Sequence, residues 1–489
     1  MDIEQFAECT NLDDLSLYDT KKVRLGEYDY MASAIRIQAN RSEYLQEYDK
    51  FVMQLDMGPN VRTGFHELVH FFQYHTTPFG MYLSLLSDFQ IVQLRSLIHC
   101  AKEVMKIEYP LLPSICRNLR PAGRYEKVWY HLKYWYLAEL VRLYFIGDIR
   151  NFDYYYNQSI FSEELPSQWF SALEKELCKL LGVSCPNRIL QNEASEPRAF
   201  IFDFVLRTMA DCDAASIFEN QARMAQYWWE MGYIENPFTM VSKEPKYSAL
   251  IAEYCAFANT KGFPQFNETF YAICELALFT PILPFQASSH SKISLRDLNP
   301  IVRVRDLMRA AKSIAPIEDM NDHRRFLDEL SAQLNYPPLQ QILDDAISFG
   351  EQRNGGSYDS LLFFASQKMR ASEFSIIYNL GRWHPMSKYQ YADARAFSNF
   401  FIPPVVQFKD QAILLKPSEI IQPIMERYYL FYYLRELLIG FRARDRSRAG
   451  VPIRAPFYKG GEDLKSQNDF CNEKVNATLG KAVPPAVVV

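Results

Sequence analysis

The sequence predicts an α+β protein that is predominantly helical, and three observations support this. Its 489 residues are 48% hydrophobic, which allows a substantial core and excludes global disorder. Segments with partial period-2 alternation lie within residues 21–58 and predict a small N-terminal sheet. Beyond residue 79, apolar residues recur mainly at helical spacing, which predicts helices over most of the remaining chain.

The predicted sheet consists of three short strands, within residues 22–28, 31–39 and 50–57. A helix over about residues 63–75 follows the third strand after a short loop. The sequence therefore predicts the local order strand, turn and helix.

The predicted helix over 63–75 has recognisable signals at both ends. Asn60 or Thr63 can cap its start, because a short side-chain oxygen accepts from the free amide hydrogens of the first turn. Thr76, Thr77 and Pro78 follow its last turn, and proline cannot continue a helix.

Residues 66–70, His-Glu-Leu-Val-His, are the clearest chemical signal in the chain. Residues four apart on a helix lie about 40° apart around its axis, so His66 and His70 can direct two imidazoles at one point. Glu67 can reach a water bound at that point. Two His that bind Zn²⁺ and a Glu that acts as general base form the HExxH pattern of zinc peptidases. The alternative is a buried helix whose His side chains only satisfy hydrogen bonds in the core.

Helical periodicity continues to the C-terminal region. The predicted helices lie at 79–106, 124–146, 162–181, 198–232, 247–260 and 267–280, and then at 301–313, 321–334, 337–348 and 417–442. The polar, Ser-rich stretch 286–300 is the best candidate boundary. We therefore expect a first domain over 1–285, a helical accessory domain over 301–460 and a loose tail over 461–489.

Composition restricts the partners and the compartment. The net charge of −5 indicates neither nucleic acid nor an anionic membrane as a partner. The chain has no secretory signal and no apolar run long enough to span a membrane, and its nine Cys include no CxxC pair, which is typical of reduced thiols. These features predict a cytoplasmic protein, although an unconventional export route would leave no such signal. The oligomeric state cannot be predicted.

The segment around residues 66–70 resembles the active-site helix of the zincin metallopeptidases. The longer string HELVHFFQYHTTPFG is similar to an HExxHxxQ pattern in poorly characterised microbial zincin-like proteins. The resemblance implies Zn²⁺ as cofactor, a peptide or protein as substrate and a zincin-like catalytic domain over 1–285. It also implies that a strand close to the helix forms the edge of the substrate cleft.

A catalytic zinc site usually has a third protein ligand besides the two His. The metzincin extension requires Gly and His at positions where this chain has Gln73 and Thr76. His75 lies about 140° around the helix from His70 and is excluded as a ligand on the same helix. The remaining common ligand is a Glu from a later helix, as in the gluzincins.

Glu219 is the best candidate for that third ligand. It lies in a predicted helix rich in small residues, which allows close approach to another helix, and its IFENQA string resembles the partner segment of the HExxHxxQ proteins. Arg223 stands where gluzincins often have Asp, and a surface pair between Glu219 and Arg223 is the competing interpretation. The other candidates are Glu residues within apolar helical patterns: Glu139, Glu193, Glu253 and Glu275.

Further site residues are less clearly marked. Gln73 shares the face of His66 and His70, where it can hydrogen-bond a metal ligand or a substrate, or simply a neighbouring backbone group. A transition-state stabiliser is also required, and His290 and Tyr254 are candidates.

Together these features predict a zinc-dependent hydrolase, most simply a gluzincin-like peptidase with Glu67 as general base. Two alternatives remain open. One is a non-catalytic binding or scaffold protein on a zincin-like frame, and the other is a metal-dependent hydrolase of a non-peptide amide. The intact His66–Glu67 pair favours hydrolysis, because a structural metal site needs no general base.

Overall fold

The structure is a computed structural model. It describes residues 26–54, 58–109, 111–118, 123–146, 214–230, 249–255, 257–258, 263–280, 299–318, 322–339, 341–342, 405–415, 418–439, 451–453, 455–456, 461–479 and 486–488. The predicted helix at 162–181 and most of the predicted boundary at 286–300 lie outside these residues. The prediction of a predominantly helical α+β protein with a small sheet is confirmed.

The chain forms two compact units that interleave along the sequence. The first contains the described residues of 1–82, 214–293 and 297–417, and the second contains those of 83–213 and 418–489. The predicted consecutive domains, 1–285 followed by 301–460, differ from this grouping. The difference arises because segments far apart in sequence pair with each other, as β2 and β3 do in the first unit.

A four-stranded sheet belongs to the first unit, in the order β1 (Gly26–Asp29), β2 (Ala34–Ile37), β3 (Val405–Gln407) and β4 (Ala412–Leu414). The β1–β2 and β3–β4 pairs are antiparallel hairpins, and β2 pairs with β3 in parallel. The two hairpins are thus joined across more than half of the chain. β1 and β2 overlap the first two strands predicted from the sequence, whereas β3 and β4 are not predicted from it.

The prediction of a third strand is wrong for residues 50–54, because Arg41–Gln54 forms helix α1, and residues 55–57 lie outside the described part of the chain. Glu43 accepts a hydrogen bond from the Asn40 backbone N–H at 2.9 Å, which is one half of a capping box and a sequence signal for a helix start. Phe51 is buried against Val61. Phe51 lies seven residues after the half-buried Tyr44, and this spacing places both side chains on one face of α1. Burial of this helical face overrides the partial alternation of residues 50–57.

Helix α2 (Pro59–Thr76) contains the HELVH segment and begins earlier than predicted. Neither Asn60 nor Thr63 caps it, since its N-cap is Gly58, which makes no side-chain capping bond. Glu47 of α1 instead accepts from the Asn60 backbone N–H at 2.7 Å and so satisfies a free amide of the first turn. The helix ends before Thr77 and Pro78, as predicted.

The first unit also contains helices from later in the sequence. They are α6 (Ala214–Glu230), α7 (Ala249–Cys255), α8 (Phe263–Leu278), α9 (Pro300–Ala311) and α10 (Asp322–Gln333). Ala222 and Ala225 of α6 pack with Val69 and Phe72 of α2 in one buried cluster. Their small side chains allow the two helices to approach closely, and this approach brings the polar face of α6 towards the two His of α2.

The second unit is formed by α3 (Pro78–Val104) from Leu83 onward, α4 (Leu111–Asn118), α5 (Glu126–Ile146), α11 (Ser418–Ile439), α12 (Gly461–Leu479) and the β5–β6 pair (Val451–Ile453 and Ala486–Val488). The prediction of a loose tail over 461–489 is wrong for residues 461–479, because they form a helix. Asn472 of α12 also makes two hydrogen bonds to the backbone of Ala486. Among the described residues, no helix combines the length and apolar content required to cross a membrane.

Candidate metal centre

Helices α2 and α6 bring His66, His70 and Glu219 together, and the potential ligand atoms of all three lie within 4.8 Å of one another. The Nε2 atoms of the two His are 3.1 Å apart. Oε2 of Glu219 lies 3.1 Å from Nε2 of His66 and 3.6 Å from Nε2 of His70. The three residues predicted from the sequence as metal ligands therefore form one cluster.

These separations suit a tetrahedral metal ion. Ligand atoms at the usual Zn–N and Zn–O distances of about 2.0–2.2 Å lie about 3.3–3.6 Å apart in tetrahedral coordination. Two imidazole nitrogens and one carboxylate oxygen are also a donor set found in catalytic zinc sites, in which the fourth position takes water or substrate. The residues present thus fit Zn²⁺ in both spacing and chemistry.

The pKa values of the two imidazoles are shifted in opposite directions. Burial lowers the pKa of His66, and the nearby His70 and Arg223 add to this effect, so His66 favours the neutral form that a metal requires. Burial also disfavours the charged form of His70, but the hydrogen bond and the charge of Glu219 outweigh burial and raise the pKa of His70. Metal binding at this cluster should therefore release a proton.

Glu67 lies on the same helix between the two His and is 7% exposed. Burial, helped by repulsion from Glu219 and Glu27, raises the pKa of its carboxyl to about 7, against the opposing effects of His70 and the Tyr28 backbone N–H. In the site without metal, this carboxyl therefore gains and loses its proton near neutral pH.

Strand β1 passes close to Glu67, a contact that the sequence does not predict. A Cβ atom added to Gly26 would overlap Cγ2 of Thr63 and would lie 3.0 Å from Oε1 of Glu67. The Tyr28 backbone N–H, two residues along the same strand, hydrogen-bonds the Glu67 carboxylate. The resemblance predicts a strand next to the helix, but β1, rather than the segment at 50–57, occupies this place.

We expect Gly26→Ala to destabilise the protein by about 1–3 kcal/mol, since the added methyl group has no space and β1 or Thr63 must shift. Urea unfolding would measure the loss. Thr63→Ser removes the closest atom, Cγ2, but keeps the hydroxyl that donates to the Pro59 carbonyl. Gly26→Ala should therefore cost less in the Thr63→Ser background, and an equal cost in both backgrounds would contradict the close contact.

Gln73 is buried, at 3% exposed, and connects α2 to α6. Its Oε1 lies 2.7 Å from Nδ1 of His70. Its Nε2 donates to the Phe218 carbonyl at 3.0 Å and to Oε1 of Gln221 at 2.7 Å. Gln73 therefore contacts a predicted metal ligand, His70, and also a backbone group, the Phe218 carbonyl. The sequence predicts both contacts as alternatives.

The rival Glu residues that the structure describes lie elsewhere. Glu139, in the second unit, is buried between Arg142 and Arg435, whose charges hold its pKa below the usual range although burial opposes this. Glu253 pairs with Arg305 at 3.0 Å. Glu275 is buried but is absent from the cluster of potential metal ligands, and Glu193 lies outside the described residues.

Glu219 lies within 3.1–3.6 Å of both His, a contact that the competing interpretation as a surface partner of Arg223 does not require. Glu219 faces the two His, while Nη1 of Arg223 donates to Oε1 of Gln226 at 3.1 Å. Arg223 lies one turn after Glu219, at the position where gluzincins often have an acidic residue. Its positive charge contributes to lowering the pKa of His66.

Of the two suggested transition-state stabilisers, Tyr254 lies within the described residues, and its surroundings do not support the role. Tyr254 is 1% exposed and packs against Phe266 and Phe270, which leaves its ring within an aromatic cluster. His290 lies outside the described residues.

In comparisons with known proteins, no family model, curated protein or solved structure matches this chain.

Proposed function

We propose that this protein is a zinc-dependent peptidase of the gluzincin type, with His66, His70 and Glu219 as ligands and Glu67 as general base. The observation that supports it best is the convergence of two His and a Glu from separate helices, at spacings that suit tetrahedral zinc. Glu67 adds the feature that separates hydrolysis from a purely structural site, since it is a buried carboxyl beside the cluster, where it can exchange a proton with a bound water.

The roles of the residues follow from their positions. Zinc, when bound, lowers the pKa of a water molecule and polarises a substrate carbonyl. His66, His70 and Glu219 would hold the ion, and a tetrahedral site with three protein ligands would leave one position for water or substrate. Glu67 takes the proton of the attacking water and then passes it to the leaving amine. The Tyr28 backbone N–H holds the carboxylate of Glu67 in place.

Strand β1 supports a peptide as the substrate rather than another amide. It is the outermost strand of the described four-stranded sheet, and its backbone contacts Glu67 directly. An outermost strand can align an extended peptide through main-chain hydrogen bonds. A peptide aligned in this way would run beside the general base.

The first test is metal content. Protein purified from zinc-supplemented medium should hold about one Zn²⁺ per chain by elemental analysis, because three ligands and water complete a tetrahedral site. The His66→Ala protein should lose this zinc, whereas His99→Ala is a matched control, since the exposed His99 pairs with Glu103 on the surface of α3. Equal and low zinc in all three proteins would contradict the proposal at its first step.

The second test is hydrolysis of unfolded protein substrates by the zinc-loaded protein. We expect cleavage that a chelator abolishes and added zinc restores. Stoichiometric zinc without cleavage of any protein or peptide would instead favour a binding or scaffold role. Cleavage of small amides but not of peptides would move the substrate class away from peptides.

A further inference from the structure

A chain of hydrogen bonds runs from the backbone of α8 to the imidazole of His70. Nε2 of Gln221 donates to the Tyr271 carbonyl at 3.4 Å. Oε1 of Gln221 accepts from Nε2 of Gln73 at 2.7 Å, and Oε1 of Gln73 lies 2.7 Å from Nδ1 of His70. All four residues are buried, so water does not compete for these groups.

The Tyr271 carbonyl, at the far end of this chain of hydrogen bonds, determines which atom donates and which accepts in each bond. The Tyr271 carbonyl can only accept, so the amide nitrogen of Gln221 must face it and the Gln221 oxygen must face Gln73. The Phe218 carbonyl, at 3.0 Å from Nε2 of Gln73, is a second acceptor on the same side. A rotated Gln73 amide would place its oxygen against two acceptors, so the Gln73 oxygen must face His70.

The protonation site of His70 follows from this arrangement. A carbonyl oxygen can only accept a hydrogen bond, so Nδ1 of His70 must carry a proton when it bonds to Gln73. Nε2 is then the nitrogen left to bind a metal, and it is the atom that faces His66 and Glu219. The Phe218 carbonyl that holds Gln73 also belongs to the residue just before Glu219, so the same side chain contacts the segments of two ligands.

We propose that Gln73 is a positioning residue, which fixes His70 in the tautomer and orientation that bind zinc through Nε2. This inference rests on the proposed function, since it concerns how the same cluster holds its metal. It assigns to Gln221 and the Tyr271 carbonyl a supporting role that the sequence does not indicate. Partners of this kind orient His ligands and strengthen their metal binding.

Two substitutions of Gln73 separate positioning from packing. Gln73→Met keeps the length of the side chain but removes the acceptor, so zinc affinity should fall roughly 10–100-fold, the usual cost of losing such a partner. Gln73→Glu keeps an oxygen that accepts from Nδ1 of His70 but loses both donors towards Phe218 and Gln221. The Gln73→Glu protein should thus melt at a lower temperature yet keep most of its zinc affinity.

The chain offers a matched control in its second unit. Oε1 of Gln93 lies 2.8 Å from Nδ1 of His131, the same type of contact at a similar distance, on helices α3 and α5. The cluster of potential metal ligands does not include His131. Gln93→Met should therefore remove an equivalent hydrogen bond and leave zinc affinity unchanged.

Zinc affinity would be measured by competition with a chromophoric chelator, and the melting temperature would be recorded without metal. The proposal predicts weaker binding in Gln73→Met, recovery in Gln73→Glu and no change in Gln93→Met. It is overturned if Gln73→Met binds zinc as tightly as the wild type, or if Gln73→Glu loses affinity as severely as Gln73→Met. A wild-type protein that binds no zinc would instead overturn the proposed function itself.

A spectroscopic measurement covers the case in which Gln73→Met does not fold. Histidine-selective NMR of the zinc-loaded wild type should show a slowly exchanging, hydrogen-bonded Nδ1 proton on His70, identified by its absence from His70→Ala. The Gln73→Glu protein should retain this signal. Absence of the proton signal from the zinc-loaded wild type would refute the positioning role.

Discussion

Glu67→Gln is expected to leave a folded, zinc-loaded protein that has lost about 10²–10⁴-fold in hydrolytic rate, the usual contribution of a general base. The amide cannot take the proton of the attacking water, and it cannot return one to the leaving amine. It can still accept from the Tyr28 backbone N–H, so the position of the side chain next to β1 should be preserved. Zinc content and melting temperature would be measured on the same sample as the cleavage rate.

Glu27→Gln is the matched control for this experiment. It removes a carboxylate charge that influences Glu67, but Glu27 is 39% exposed in its side chain and lies 3.7 Å from Arg36. We expect this variant to keep most of its activity. Near-normal turnover in Glu67→Gln on a validated substrate would remove Glu67 from the mechanism, even if the zinc ligands proved correct.

Glu219→Ala should cause the largest loss of metal binding among the acidic substitutions. It leaves two protein donors where a catalytic zinc site usually has three. The drop in affinity should exceed the roughly 10–100-fold that follows loss of a hydrogen-bond partner of a ligand, so Glu219→Ala should bind zinc more weakly than Gln73→Met. Chelator competition on both variants would measure this order.

Glu253→Ala is the control, because Glu253 pairs with Arg305 and both side chains are partly exposed. That variant should keep its zinc and lose less than about 1 kcal/mol of stability. Glu139→Ala is a poorer control, since it would leave Arg142 and Arg435 buried without their carboxylate, at a cost of about 3–5 kcal/mol. If Glu253→Ala lost zinc while Glu219→Ala retained it, the third ligand would have to be reassigned.

Helical spacing explains why much of the candidate site could be predicted from the sequence. His66 and His70 are four residues apart on one helix, so local geometry places them on one face whatever surrounds the helix. The small residues of α6 likewise indicate a close helix–helix contact from the sequence alone, and Ala222 and Ala225 make that contact. The same local geometry predicts the helical character of most of the chain.

Local patterns mispredict the chain where distant segments compete with them. The segment 50–57 has some alternation, but the capping bond of Glu43 and the burial of Phe51 favour a helix. Strands β3 and β4 are three residues each, too short for a periodic signal, and β3 exists through its parallel pairing with β2. Glu47, which lies on another helix, accepts from a free backbone N–H in the first turn of α2, where the sequence predicts a cap from Asn60 or Thr63.

The amino-acid sequence was sufficient to predict the two His on one helical face with Glu67 beside them, the closely packing helix that contains Glu219 and the helical class of the protein. These features depend on residues within a few turns of each other, whose relative positions follow from the geometry of one helix. Three further features required the folded chain: Glu219 faces the His pair, Gly26 borders Glu67, and Tyr271 orients His70 through two glutamines. Those contacts join segments far apart in the sequence, and the packing of α2, α6, α8 and β1 fixes them.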